Sequence, residues 1–422
     1  MNQINTTLYS TNKDGSTQQW KVSVADDKVY VEFGKVNGKI QIKETTCKAK
    51  NIGRANETTP QEQALFEANS KWEKQVRLGY RESQEDLVET STLLPMLAHD
   101  AIKRKHNIVY PCFVQAKLDG VRCLVSFDGS GEPIFLSRGN KKYPVQGKLV
   151  EQMKELRIKS GIDMFDGELY IHGLPLQKIL SLSKKWKTPD FIEKEIEKDF
   201  QKEMKEWLKD PVGDPPVPDL WRYLMNSSED LEFHIFDVPS DKKWDIPFSE
   251  RGNDYTLPEN SCRYADLMGL PYFIDEYNFD SLKIVYGSYY FDEESLIEAI
   301  AIYMQKGYEG IIIRNLTGLY LFGQRSQDLQ KWKIFQTIEA LVESVTIDKN
   351  AEGVLNCVLQ NGVKVSAKMK GNHSYRSYEN MLTLINKFIV ICFQTYTEDG
   401  VPQFPVGISE RNVDPVTWEV LE

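Results

Sequence analysis

Between Val114 and Phe127 the chain reads VQAKLDGVRCLVSF, an apolar strand-like run interrupted by a lysine, an aspartate, a glycine and an arginine. Val114, Ala116, Leu118 and Val121 call for burial, so the lysine between them stands where a charged side chain needs a reason. Asp119-Gly120 reads as a hairpin turn between two strands, whatever else the segment does. The lysine reads as a nucleophile. To act as one it must lose its proton, and desolvation or neighbouring cations lower its pKa. Gly120 lets a backbone approach a ligand closely, and Arg122 offers a planar fork suited to phosphate. The pattern K-x-D-G-x-R fixes only four positions and decides nothing alone.

The chain has 422 residues, enough for two or three domains. Its composition, 41% hydrophobic and 27% charged, is that of an ordinary soluble globular protein. No apolar run approaches the ~18 residues of a membrane span. The start, MNQINTTLYSTNKDGS, lacks a basic region followed by an apolar core, so no secretion signal and an intracellular location are expected. The six cysteines form no CxxC pair and read as reduced thiols, not a zinc site. The net charge of −10 argues against a protein that coats nucleic acid, though not against an enzyme with its basic residues on one face.

Residues 5–50 read as β-structure, with alternation clearest at Val29–Phe33. Residues 60–80 read as an amphipathic helix with Ala64, Phe66, Ala68, Trp72 and Val76 on one stripe and Gly79 just past its end. A polar stretch, RESQEDLVET, follows. From about residue 93, LLPMLAHDAIKRK reads as a helical lead-in to short strands and turns. Residues 190–208 make the strongest helix, striped by Ile192, Ile196, Phe200, Met204, Trp207 and Leu208, and DPVGDPPVPD ends it. Trp186, Trp207, Trp221 and Trp244 read as core or lid packing. A strand at 232–238 and a helix at 293–306 follow. From about 338 comes a β-rich barrel or sandwich with a helix at YENMLTLINKF.

The segments after Lys117 narrow the chemistry. In order they are SRG (Ser137–Gly139), FDGELY (Phe165–Tyr170), FHIFDV (Phe233–Val238), YEGIIIRN (Tyr308–Asn315) and LQKWKIF (Leu329–Phe335). Lys331 and Lys333 share one face of the last strand, because side chains alternate. Singly, Phe236 reads as a core aromatic, Glu168 as a strand-end carboxylate and the two lysines as an edge-strand pair. Together and in this order, across residues 93–336, the motifs resemble the covalent nucleotidyltransferase superfamily, most closely the ATP-dependent DNA ligases of compact viral or bacterial type.

That resemblance implies the following roles. Lys117 attacks the α-phosphorus of ATP and becomes a lysyl-AMP phosphoramidate. Gln115 reads the adenine edge, Phe236 stacks on the base, and Glu168 holds the ribose hydroxyl. Glu309, with Glu168, coordinates Mg2+ or Mn2+. Lys331 and Lys333 contact the α-phosphate and help depress the pKa of Lys117. Arg122 and Arg138 contact the sugar and the 5′-phosphate of a nick. Positioned cations around oxygens that gain charge are what such a transfer requires.

The resemblance also implies an α+β multidomain architecture. Residues 1–82 look like a WGR domain, with Phe33-Gly34-Lys35 in place of Trp-Gly-Arg; such a unit adds a DNA contact, or else only packs. Residues 83–336 would be an ATP-grasp-like adenylation (nucleotidyltransferase) domain of antiparallel sheets with flanking helices, and 337–422 an OB-fold β-barrel. In the barrel, Lys364, Lys368, Lys370, His373 and Arg376 form a basic patch, expected either to meet DNA or to be plain solvated surface. PQFPVGISERN makes Arg411 the candidate that orients the pyrophosphate, although the family's basic residue after the aspartate is absent and Pro415 follows Asp414.

The expected function is ATP-dependent sealing of nicks in duplex DNA by a monomer, in replication, repair or recombination. Its place would be a bacterial or host cytoplasm, or a host nucleus. The alternatives are an RNA ligase, an mRNA capping guanylyltransferase using GTP, and a degenerate ligase-like DNA-binding protein. An NAD-dependent ligase is disfavoured, since that family carries a cysteine zinc site.

Overall fold

The computed structural model describes residues 5–12, 15–85, 94–209, 211, 215, 227–239, 248, 262–348, 350–397 and 399–421. Most of DPVGDPPVPD, the end of RESQEDLVET, Trp221 and Trp244 lie outside these residues. Among the described residues the chain builds three open sheets and one closed barrel, each around its own apolar core.

The first sheet is an antiparallel meander of β1 (Thr7–Thr11), β2 (Thr17–Ala25), β3 (Lys28–Lys35) and β4 (Gln41–Thr46). The helix Pro60–Arg77 packs on it. Thr59 and Glu62 cap this helix reciprocally, and Pro60 supplies the preset first turn. Ala64, Ala68, Trp72 and Val76, four apart, face the sheet and join Leu8, Trp20, Val22 and Val29 in its core. Phe66, expected on that stripe, is 61% exposed, because it stands two residues off the row.

The middle of the chain supplies two five-stranded sheets. One has the order β11 (Leu282–Ile284), β10 (Glu232–Asp237), β9 (Phe165–Tyr170), β7 (Val121–Phe127), β8 (Pro133–Ser137). The other runs β12 (Gly287–Tyr290), β6 (Cys112–Lys117), β13 (Gly310–Asn315), β14 (Arg325–Lys333), β5 (Leu97–Asp100). Both are mostly antiparallel, but β10–β11 and β5–β14 are parallel, which the expected antiparallel sheets did not include.

This layout corrects two local expectations. Asp119-Gly120 is no hairpin: β6 pairs with β12 and β13, while β7 pairs with β8 and β9, so Leu118–Gly120 carry the chain from one sheet into the other. Leu97–Asp100, expected within a helical lead-in, is a strand beside β14; Ala101–Arg104 turn helical behind the Asp100 cap, and a 3-10 turn, Lys105–Asn107, follows.

Helices Lys148–Ser160, Leu176–Lys184 and Arg263–Glu276 cover the first of these sheets, and Glu293–Gln305 covers the second. The helix Pro189–Trp207 buries its stripe only at Ile192 and Ile196, and Leu208 is exposed.

The barrel closes in the order β15 (Gln336–Ile347), β16 (Gly353–Val358), β17 (Lys364–Met369), β19 (Val406–Arg411), β18 (Phe388–Phe393). The helix expected at YENMLTLINKF is only Tyr378–Leu382, and turns complete the segment. All six cysteines are free. Among the described residues no helix is long and apolar enough to cross a membrane.

Candidate active site

A cavity of about 600 Å³ opens where the two middle sheets meet, and Gln394 and Phe404 from the barrel segment reach its wall. Strand register explains which side chains face it. Lys117 pairs with Gly310, and Gly310 with Lys333; one step along, Gln115 pairs with Ile312, and Ile312 with Lys331. Residues two apart share a face, so Gln115, Lys117, Ile312, Lys331 and Lys333 all line the same cavity. A side chain on Gly310 would collide with the Trp332 carbonyl, its Cβ 2.2 Å away, so glycine lets the lysine strands flank it closely.

Glu309 ties these strands together at the end that carries Lys117 and Lys333. Its backbone N–H donates to the Lys117 carbonyl at 3.0 Å, and its carboxylate accepts from the ammonium groups of both Lys117 and Lys333. Lys333 also donates to Gln394 Oε1 at 3.0 Å. Burial pushes the Lys117 amine below its ordinary value, and Arg122 pushes the same way against the opposing carboxylates of Glu168 and Asp119. Lys333 is lowered to about 8 by burial and by Lys117, and Lys331 is lowered by the same two causes. This is the lysine cluster expected from LQKWKIF, and β14 is an inner strand, not an edge.

The facing sheet brings Glu168, whose Oε1 accepts from the Gly120 N–H at 3.1 Å. Burial raises its pKa against the pull of Lys117 and Arg122. Gly120 is needed for that approach: a Cβ there would stand 2.6 Å from the Leu169 carbonyl. Phe236 lines the cavity at 9% exposure, with the Arg122 guanidinium 4.5 Å from its ring centroid. Arg138 is exposed on the cavity rim and has no carboxylate partner among the described residues.

Several expected residues sit differently. Arg122 is not a free phosphate fork. Its Nε and Nη2 grip the fully buried Asp166 at 2.6 and 2.5 Å, and Nη2 also donates to the Met96 carbonyl. Burial opposes its charge, yet Asp166 raises its pKa on balance. Asp166 accepts from the Tyr320 hydroxyl as well. Gln115 is 1% exposed, and its amide N–H groups are taken by the Phe236 and Val285 carbonyls.

In the barrel the basic patch is largely neutralised: Lys364 meets Glu343, Lys368 meets Asp348 and Glu352, and His373 and Arg376 meet Glu352. Hydrogen bonds from Lys368, Arg376 and His373 hold Glu352 down to about 2. Only Lys370 of that group lacks a carboxylate partner among the described residues. Arg411 pairs with Glu339 and does not line the cavity.

Sequence reasoning missed Asp166, Asp119, Arg325 and Arg314. Arg325, Asp119 and Arg314 line the cavity, and Asp166 is fully buried behind them. The Asp in FDGELY and the Arg in YEGIIIRN stood inside motifs already singled out, and that was the signal available.

A divalent cation fits this cavity on its donor chemistry. Glu168, Glu309 and Asp119 line one space, and Mg2+ binds through one or two carboxylates plus substrate phosphates. Among the described residues no set of three metal-ligating side chains stands preassembled.

No protein-family model matches the chain. The DNA ligase of an African swine fever virus pig isolate from Kenya is 26% identical over 328 residues, covering 75% of this chain and 62% of that protein. The DNA ligase of a warthog isolate from Namibia is 25% identical over 329 residues, covering 75% and 63%. The chain thus spans less than two thirds of the length of these curated relatives.

Among solved structures, Pmar-Lig_PreS3 aligns with a TM-score of 0.54 at 16% identity over 75% of this chain and 67% of that one. A structure from work on Lig E DNA ligases, described as binding DNA with a minimal scaffold, gives a TM-score of 0.51 at 16% identity over 75% and 99%. These structures share the fold.

Proposed function

We propose that this chain is an ATP-dependent DNA ligase that seals nicks between a 5′-phosphate and a 3′-hydroxyl in duplex DNA. The observation that carries the reading is the juxtaposition of Lys117, Lys333 and Lys331 on the two strands that flank β13, with Glu168 facing them and Phe236 and Ile312 as apolar walls. The similarity to viral DNA ligases supports the choice of DNA over capping or RNA substrates.

In the first step neutral Lys117 Nζ attacks the α-phosphorus of ATP. A P–N bond forms, the P–O bond to the leaving group breaks, and pyrophosphate departs with the electron pair. Lys331 and Lys333 stabilise charge on the α-phosphate oxygens. Phe236 and Ile312 sandwich the base, and Glu168 accepts from the ribose hydroxyl. The nick's 5′-phosphate oxygen then attacks the same phosphorus, releasing Lys117 and giving a DNA-adenylate. Attack by the 3′-hydroxyl on the 5′-phosphate expels AMP. Mg2+ or Mn2+, held by Glu309 with Glu168 and the triphosphate, would neutralise phosphate charge.

Arg138, exposed on the rim, remains the arginine free to meet the nick phosphate, whereas Arg122 shapes the pocket through Asp166 and Phe236. Of the barrel cations proposed to meet DNA, Lys370 is the strongest candidate, because Lys364, Lys368 and Arg376 are engaged by carboxylates. Arg411, paired with Glu339, would have to exchange that partner to reach a pyrophosphate.

The test is incubation with α-labelled ATP or GTP and Mg2+, followed by addition of a nicked duplex. Label on protein from ATP, then sealed DNA, is the expected result. Label from GTP would make the chain a capping enzyme, and no label from either would make it a binder.

The chain divides in this reading into 1–82, 83–336 and 337–422, with a WGR-like unit first and an OB-fold last. The five-stranded closure of the barrel supports the second assignment. Asn140, next to the Arg138 loop, donates to the Arg77 carbonyl at 2.7 Å, which docks the N-terminal unit beside the proposed DNA entrance. Deleting residues 1–82 therefore leaves self-adenylation intact and lowers sealing about tenfold at low DNA concentration. Sealing rates measured over a DNA titration check this, and an unchanged rate would make the unit a packing domain only.

A further inference from the structure

Among the described residues the barrel segment reaches the cavity through two side chains, Gln394 and Phe404. Arg411 and the barrel cations Lys364, Lys368, Lys370 and Arg376 do not line it. The polar group that the barrel brings to the site is therefore an uncharged amide. Its backbone is anchored. The Gln394 N–H donates to the Gln403 carbonyl at 3.2 Å, and the Gln403 N–H donates to the Thr395 carbonyl at 2.8 Å. Gln403 is buried, and its Nε2 reaches Gln177 Oε1 at 3.5 Å. Gln177 belongs to the helix Leu176–Lys184, whose Leu176 and Leu180 line the same cavity. The barrel segment is thus seated on the cavity wall.

Lys333 fixes which way the Gln394 amide points. Its ammonium donates to Gln394 Oε1 at 3.0 Å. An ammonium only donates, so the amide oxygen faces the lysine and the amide nitrogen is turned away from it. Among the described residues that nitrogen has no hydrogen-bond partner. Lys117 and Lys333 hold the two oxygens of one carboxylate, that of Glu309. A phosphorus placed for attack by Lys117 therefore carries its oxygens beside Lys333. The amide nitrogen is bonded to the same carbon as the oxygen that touches Lys333. A phosphate oxygen held by that ammonium thus has a second, unspent donor next to it.

We propose that Gln394 is a further catalytic residue: its amide N–H donates to the non-bridging oxygen of the α-phosphate that Lys333 also holds. The barrel thereby supplies the first transfer with a neutral donor and not a cation. A fixed N–H aimed at an oxygen that gains charge stabilises the transition state. It does so without taking another full charge out of water beside Lys117 and Lys333. The inference rests on the reading that the chain forms a lysyl-nucleotide.

The test is single-turnover self-labelling of the full chain by α-labelled ATP and Mg2+ over a range of ATP concentrations. Gln394→Leu removes donor and acceptor together. Its rate at saturating ATP should fall by about 10²-fold, the usual loss when one such donor goes, with the half-saturating concentration changed less than about threefold. Gln394→Glu is the deciding variant. It keeps an oxygen facing Lys333, and so keeps that contact, but sets a second oxygen where the amide nitrogen stood. Its rate should fall at least as far as that of the leucine variant. If Gln394→Leu does not fold, the glutamate variant decides, because its contact to Lys333 is intact. Rescue of the rate by glutamate would show that the side chain serves only to hold Lys333, and would overturn the inference. A leucine variant within about threefold of the wild type would overturn it too. No labelling of the wild type by ATP would instead overturn the function proposed above.

Discussion

Replacing Lys117 with alanine abolishes labelling by ATP, a loss of at least about 10³-fold, because no other group stands in for the attacking amine. Lys117→Arg fails equally: a guanidinium keeps the charge but does not deprotonate. A cationic contact to Glu309 can survive only in the second variant, so the pair separates nucleophile from ion-pair partner. The wild-type reaction carries a pH signature of the same residue. Burial lowers the Lys117 pKa, so the neutral fraction grows as pH rises and the rate levels off below the ordinary lysine value of 10.5. A profile still climbing at pH 10.5 would mean that the amine is not depressed. A single-turnover pH–rate series on wild type, beside both variants at one pH, checks these outcomes.

Asp237→Ala destabilises the protein by about 3–5 kcal/mol, the usual consequence of removing one partner from a buried ionic group. Asp237 is fully buried and is the carboxylate between Arg263 and Arg314. Burial opposes its charge, and the two guanidinium groups still hold its pKa below the usual carboxylate range. Alanine would leave two buried cations facing each other across a small void. Urea unfolding followed by tryptophan fluorescence should show a midpoint shift at nearly unchanged slope. An unshifted midpoint would show that both arginines find other acceptors.

That Lys117, Glu168 and the Lys331–Lys333 pair belong to one site was legible because each lies in a short segment whose type and order are informative without knowledge of pairing. What pairing decides was not legible. Alternation marks β6 and β7 as strands but does not say that they enter different sheets, so Asp119-Gly120 passes for a hairpin. The parallel partner that makes Leu97–Asp100 a strand is β14, more than two hundred residues away.

Arg122 looks free until Asp166, on a neighbouring strand, is seen to hold two of its three guanidinium nitrogens. The barrel cations look like a patch until Asp348 and Glu352 fold across them. In each case burial makes a charged group choose a partner that sequence spacing does not reveal. Phe66 is a different case, a matter of phase: a residue two off the i, i+4 row points away from it.

The passage of the chain from one sheet to the other through Leu118–Gly120 also sets when the protein can first act during its own synthesis. Lys117 is made early, but Lys333 lies on a strand added near the end of the same sheet, and Glu309 only shortly before it. A nascent chain carrying the amine therefore lacks both the carboxylate that contacts it and the neighbouring cation. Contacts of such sequence separation form late, after long stretches of chain have been ordered. For the reaction proposed above, a product that stops short of these strands lacks the groups required, and the site is complete only with the closing strands of the sheet.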